Sequence, residues 1–166
     1  MREIAIVKYE FEPSPDTKQG RILRMPSFVS PELEQQIRKG SLKGKCLRGI
    51  NLMGVWLEGI DFSDADLTEA CFEFAVLSSC NFQGCKLEKA NLKRANLIGA
   101  NLDRAYLRGA DLYYARLTCA SLKQADLSDA NLERTILRCA DLSGARLTNA
   151  RGNPIIDRTR MEGIIS

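Results

Sequence analysis

Every fifth residue from Leu42 to Leu147 is Leu or Phe, without one slip of phase. The run comprises 22 pentads, 19 of them centred on Leu and the others on Phe62, Phe72 and Phe82. The position two before each centre is Ala in 14 pentads, and Gly40, Cys80, Cys85 and Thr135 are its other small occupants. Only Lys45, Ile50, Val55 and Ile60 are larger there, all near the start of the run. A helix repeats its buried face about every 3.6 residues and a strand about every 2, so a sustained period of five suits neither as one continuous element. The period asks instead for a solenoid in which each pentad is one short side of a coil, with the centre and the small residue turned inward. The other three positions then face water, and they are mostly Lys, Arg, Asp, Glu, Ser, Thr, Asn and Gly. The period alone leaves the number of sides open.

The tandem A-(D/N)-L-x-x motif, written most plainly from Ala90 to Leu132, resembles that of the pentapeptide repeat proteins, and the likeness covers residues 40–150. The resemblance implies an all-β solenoid, a right-handed quadrilateral parallel β-helix with four pentads to a coil. On that scheme 22 pentads make about five and a half coils. Residues 20 apart stack at about 4.8 Å, the spacing of neighbouring strands, which puts Phe62 directly under Phe82 with their rings in contact. The resemblance also points to a cyanobacterial-type protein. It does not assign a function, because one scaffold carries unrelated roles.

Three segments follow from this scheme. Residues 1–40 form an N-terminal extension, residues 41–150 the β-helix and residues 151–166 a C-terminal cap or tail. In the extension, Ile4, Ile6 and Lys8 to Phe11 alternate like a strand, Pro13 to Gly20 is turn-rich, and Arg21 to Met25 would pair back as a hairpin. A helix is written over residues 30–39: Ser30 suits the N-cap and Pro31 the first turn, Glu32 and Glu34 meet the positive end of the dipole, and Arg38 and Lys39 the negative end. Leu33 and Ile37 share one face, suited to lie as a lid over the first coil. After Ala150 the pattern stops at Arg151-Gly-Asn-Pro154, and Ile155, Ile156, Met161, Ile164 and Ile165 are apolar enough to fold back as a second cap or to form a dimer contact. The chain is thus expected to be a monomer, or a homodimer through a coil end.

A net charge of +3 and 45% hydrophobic residues fit one soluble domain with a small extension. The first ten residues lack the apolar core of a signal peptide and no stretch approaches membrane-spanning length, so the expected location is cytoplasmic, without membrane contact. The six Cys are scattered over unrelated repeat positions without C-x-x-C spacing, and there is no His. No catalytic residues, metal site, cofactor or small-molecule substrate are expected, since a regular prism offers no cleft in which such groups converge. Asp61, Asp66, Asn81, Asn91, Asn96, Asn101, Asp111, Asp126, Asn131 and Asp141, each just before a centre, read as corner residues bonded to nearby backbone rather than as calcium ligands.

Function is therefore sought on the walls. Glu58, Asp61, Asp64, Asp66, Glu69 and Glu73 follow one another with no basic residue between them, yet residues 41–150 carry 14 basic and 13 acidic groups, a net of +1. The resemblance brings in a known role of the family, in which a strongly acidic rod mimics DNA and binds a type II topoisomerase, gyrase, protecting it from inhibitors. Duplex DNA carries one negative charge per ~1.7 Å of axis, a field this wall does not present, so that role ranks second. Direct nucleic-acid binding is disfavoured because the Arg residues alternate with acids. The first reading is a non-enzymatic protein-interaction module. Its expected face spans two sides of the rod. On the third side Phe74, Arg94, Tyr114 and Arg134 alternate in one column with Tyr113 beside it, and on the fourth Trp56, Val76, Ile98 and Ile136 are outward-facing apolar residues. Aromatic and Arg side chains are the types enriched at binding hot spots.

Overall fold

The computed structural model describes residues 30–166. The proposed hairpin between Ile4 and Met25 lies outside the described residues. From Ser41 onward the backbone is a succession of short parallel bridges, each joining a residue to the one 20 positions on: Ser41 to Asp61, Cys46 to Asp66, Asn51 to Cys71, Trp56 to Val76, and so on in phase to Asn131 and Arg151. The bridged residue is always the one before the pentad centre. Four pentads therefore separate stacked rungs, and the chain forms the solenoid that a five-residue period demands.

Each pentad closes on a turn. The amide of the small residue donates to the carbonyl of the centre before it, as in Ala65 to Phe62 and Ala90 to Leu87, both at 3.0 Å. The second residue after the centre has positive φ all along the ladder, from Gly44 at 65° through Asp64 at 59° and Arg104 at 57° to Gly144 at 70°. This is the backbone a type II turn requires at its third residue. Glycine fills it in the first four turns, at Gly44, Gly49, Gly54 and Gly59, and most later turns carry a side chain in the same conformation.

The amide just after each centre has no place in the ladder, and the Asx position of the motif supplies its acceptor. Asp61 Oδ1 accepts from the Ser63 amide at 2.9 Å, Asn101 from Asp103 at 3.0 Å, Asp126 from Ser128 at 3.0 Å and Asn131 from Glu133 at 3.1 Å. These acids and amides act as corner residues. Asn side chains also join successive rungs: Asn81 Nδ2 donates to Asp61 Oδ1 at 3.0 Å and Asn101 Nδ2 to Asn81 Oδ1 at 3.2 Å.

The bore holds the centres and the small residues in one buried cluster. The rings of Phe62 and Phe82 stack with 4.9 Å between centroids, and Phe72 meets both edge-on from another side of the coil at 6.1 and 6.2 Å. Opposite walls thus touch across the bore. Where the small slot is polar, it bonds inward: the Cys80 thiol donates to the Leu57 carbonyl at 2.8 Å and the Thr135 hydroxyl to the Leu112 carbonyl at 2.8 Å. Burial pushes the Cys80 thiol up to about 12, so it stays protonated and fills an Ala-sized slot as a donor.

The ends differ from each other. The helix α1, Pro31–Arg38, is capped by Ser30, whose side chain accepts from the Leu33 amide at 3.2 Å. Ile37 is fully buried in the core cluster and Leu33 packs against it. At the other end, the residues after Ala150 neither fold back nor stand free as a tail. They continue the ladder one residue short of register, with Ile136 bridged to Ile155, Asp141 to Arg160 and Arg146 to Ile165, each 19 apart. The shortened step is made at Gly152, where φ is 107° and an added Cβ would lie 2.3 Å from the Glu133 amide nitrogen. Leu at this centre position is excluded by that approach, which explains why the motif breaks there although the coil does not.

Candidate partner-binding face

The column expected on the third side exists as a set of contacts. Gly54, Phe74, Arg94, Tyr114 and Arg134 each lie three residues after bridged positions and are joined rung to rung, Gly54 donating to the Glu73 carbonyl, Phe74 to Lys93, Arg94 to Tyr113 and Tyr114 to Glu133 at 2.8 to 3.2 Å. Outside this frame the side chains stack. The Arg94 guanidinium sits 5.3 Å from the Phe74 ring centroid and 5.9 Å from that of Tyr114, and the Arg134 guanidinium lies 5.4 Å from Tyr114 on the next rung. Arg134 also donates to the Tyr114 hydroxyl at 2.5 Å. Tyr113 meets Tyr114 edge-on at 4.6 Å. Each cation–π contact of this kind contributes about 0.5–1 kcal/mol where exposed, and together they hold four long side chains in one arrangement.

All four occupy the left-handed turn position, Phe74 at φ 60°, Arg94 at 56°, Tyr114 at 56° and Arg134 at 57°. A bulky side chain in that conformation costs about 1–2 kcal/mol relative to glycine. Phe74 is also 49% exposed. Neither placement serves the core.

Acids on this wall are engaged laterally. Lys93 pairs with Asp111 at 3.2 Å, Arg134 lies 3.8 Å from Glu133, and Glu73 accepts from Asn91 Nδ2 at 3.2 Å. The acidic run is partly met from the coil before it, Lys43 pairing with Asp64 at 3.9 Å and Arg48 with Asp66 at 3.3 Å. Among the described residues no cluster of His, Cys, Asp and Glu suited to a metal ion occurs, and no helix is long and apolar enough to cross a membrane.

The fourth side is less continuous than the sequence suggests. Trp56 and Val76 are bridge partners, but Asn96 and Arg116 occupy the next two rungs before Ile136. Trp56 turns its indole nitrogen toward Glu58, at 3.4 Å. Ile98 is half-buried in another column, one residue after its centre. Ile136 instead joins the C-terminal coil, being bridged to Ile155, which is 42% exposed. The structure thus brings together Phe74, Arg94, Tyr113, Tyr114 and Arg134 and leaves Trp56 with Val76, Ile98, and Ile136 as separate apolar points. What sequence reasoning missed is Ile155 beside Ile136, hidden by the break in the motif at Gly152.

A family model for pentapeptide repeats matches the chain in eight copies over residues 46–84, 75–112 and 115–151. No curated protein matches. Among solved structures the chain is similar to a pentapeptide repeat protein of the Arabidopsis thaliana thylakoid lumen, with 32% identity over 67% of this chain and 70% of that one and a TM-score of 0.43. It is similar to alr5209, a pentapeptide repeat protein from Nostoc PCC 7120, with 33% identity over 57% of this chain and 78% of that one and a TM-score of 0.52. It is also similar to Rfr23 from the cyanobacterium Cyanothece 51142, with 28% identity over 80% of this chain and 91% of that one and a TM-score of 0.37.

Proposed function

The chain belongs to the pentapeptide repeat family, and from that premise we propose that it is a non-enzymatic interaction module whose protein partner docks on the Phe74–Arg94–Tyr114–Arg134 column. The observation that carries this reading is the alternation of rings and guanidinium groups over three successive contacts, built on bulky side chains at a backbone position that favours glycine. The left-handed turn recurs along the whole ladder, and what sets this column apart is that it carries the rings and guanidinium groups enriched at binding hot spots. Tyr113 widens the face, and Trp56, Val76, Ile98 and Ile136 are the apolar points toward which the contact extends. The partner is a protein; small molecules, nucleic acid and membrane are not part of the proposal. Six unpaired cysteines fit a reducing, cytoplasmic setting. Helix α1 acts as the lid of the first coil, with Ile37 as its anchor, blocking end-to-end stacking there.

The test is affinity capture from the source cell with the wild type and with a Phe74→Ser, Tyr114→Asp variant of equal melting temperature. A partner held by the wild type and lost by the variant supports the proposal; equal retention removes this column from the contact. The second reading, a DNA mimic acting on gyrase, has the Lys43 and Arg48 ion pairs against it, because they offset the acidic coil. Stoichiometric protection of gyrase supercoiling from a fluoroquinolone would reverse the ranking.

A further inference from the structure

The column of alternating rings and cations ends abruptly. Going from Arg134 through Tyr114 and Arg94 to Phe74, each ring lies against a cation on the next rung, and both flanking rungs of Tyr114 are Arg. Among the described residues, Phe74 has a cation, Arg94, on one side only. The rung on its other side is Gly54, whose amide is bonded to the Glu73 carbonyl at 2.8 Å and at which an added Cβ would meet no described atom within 4 Å. Among the described residues the place where the pattern would put a third cation is therefore open, next to the half-exposed Phe74 ring.

On its own coil, the charged residues leading up to Phe74 are all acidic. Phe74 follows Glu73, and Glu69 stands at the preceding turn, closing a run from Glu58 to Glu73 without a basic residue. Two acids of that run, Asp64 and Asp66, are paired with Lys43 and Arg48, but among the described residues Glu69 and Glu73 have no cationic partner. Met53, 45% exposed, lies next to Gly54 and offers a soft apolar neighbour.

We propose that the free face of Phe74 above Gly54 is a slot for a cationic side chain, Arg or Lys, carried by a basic peptide segment of the partner. The proposal rests on the reading of this column as the partner-binding face. The incoming cation would stack on Phe74 as Arg94 does from the other side, with the Glu69 and Glu73 carboxylates supplying opposite charge. A phosphate backbone or an acidic peptide would meet those same carboxylates with like charge and is disfavoured here.

The probe is a random dodecapeptide display library, selected on the full chain and counter-selected on a Phe74→Ser, Tyr114→Ser variant, so that only peptides reading this face survive. The inference expects survivors enriched in Arg and Lys, whose binding falls about two- to thirty-fold with Phe74→Leu, the range of one exposed to one desolvated cation–π contact. Gly54→Arg should block the same peptides, because the protein's own guanidinium then fills the slot. The backbone there, at φ 68°, resembles that of Phe74 and Arg94, which carry large side chains. Equal melting temperatures for each variant and the wild type keep the comparison valid. Survivors that are not basic, or that ignore Gly54→Arg, overturn the slot and leave the face standing. Acid-rich survivors lost on Arg94→Gln overturn it in favour of the opposite chemistry, and nucleic-acid binding by the wild type that is lost on Phe74→Leu does the same. No face-specific survivors at all would overturn the slot and the face together.

Discussion

The rings of Phe62 and Phe82 lie parallel to within 2° and 4.9 Å apart, and Phe72 closes the group at right angles from across the bore. Three aromatic centres in adjacent rungs thus replace Leu and tie opposite walls together. Each ring touches both others, and Phe72 is the one that reaches them from the opposite wall: Phe72→Ala is expected to lose about 3–5 kcal/mol, and Phe72→Leu, which restores the common centre residue, under about 2 kcal/mol. Urea unfolding of the two variants checks the ordering, and equal losses would refute the special role of the ring contacts.

Asn131 serves two bonds at once, its Oδ1 accepting from the Glu133 amide and its Nδ2 donating to Asp111 Oδ1 at 3.0 Å. Asn131→Ala should therefore cost about 1–2 kcal/mol. Asn131→Asp keeps the acceptor but places a carboxylate against Asp111. Its deficit should shrink as pH falls below the carboxylate range, where Asn131→Ala shows no such recovery.

Gly152 marks the step where the ladder loses one residue. With only 2.3 Å available to a Cβ beside the Glu133 amide, Gly152→Ala must displace backbone. The expected result is local: amide exchange at Ile155, Arg160 and Ile165 should accelerate at least about tenfold, the effect of ~1.4 kcal/mol on a local opening equilibrium. Exchange at Leu92 and Leu97 should stay as in the wild type. Unchanged protection at the three C-terminal amides would mean that the close approach is not structural.

Asp66 is held below the ordinary carboxylate value of 3.8 by the Thr68 hydroxyl, opposed by partial burial and aided by the Thr68 amide and Arg48. Asp141 is lowered in the same way by the Ser143 hydroxyl and amide, with Lys123 adding to them. A depressed folded pKa contributes stability that is present above the unfolded value and is lost as pH falls through the folded one. The melting temperature should accordingly hold near neutrality and fall on acidification below about pH 4. Thr68→Val with Ser143→Ala should flatten that acid limb. An acid limb identical to the wild type would assign the loss to other carboxylates.

Much of this architecture was legible because a sustained five-residue period calls for a solenoid, while the resemblance to the pentapeptide repeat proteins supplied the four sides that the period leaves open. The stacking of Phe62 on Phe82 needs both, and the corner role of Asp61 or Asn101 follows from the short polar side chain just before each centre. The left-handed turn position was less visible: Gly44, Gly49, Gly54 and Gly59 announce it, but residues such as Glu69, Lys89 and Arg104 occupy it later and disguise the rule. The C-terminal coil escaped for a related reason, since its register shift is absorbed by backbone at Gly152 and leaves no Leu in phase. On the candidate face, Phe74, Arg94, Tyr114 and Arg134 were found by counting twenties. The separation of Val76 from Ile136 was underrated because a list of apolar residues ignores Asn96 and Arg116 between them.

The most direct test of the central claim places a photo-crosslinking benzoylphenylalanine at Tyr114, and in a parallel protein at Tyr106, which is 50% exposed in a different column. After illumination in the source cell, the account predicts one discrete crosslinked protein at position 114 and none of it at 106. The same product at both positions, or at 106 alone, would contradict the assignment of function to the Phe74–Arg134 column.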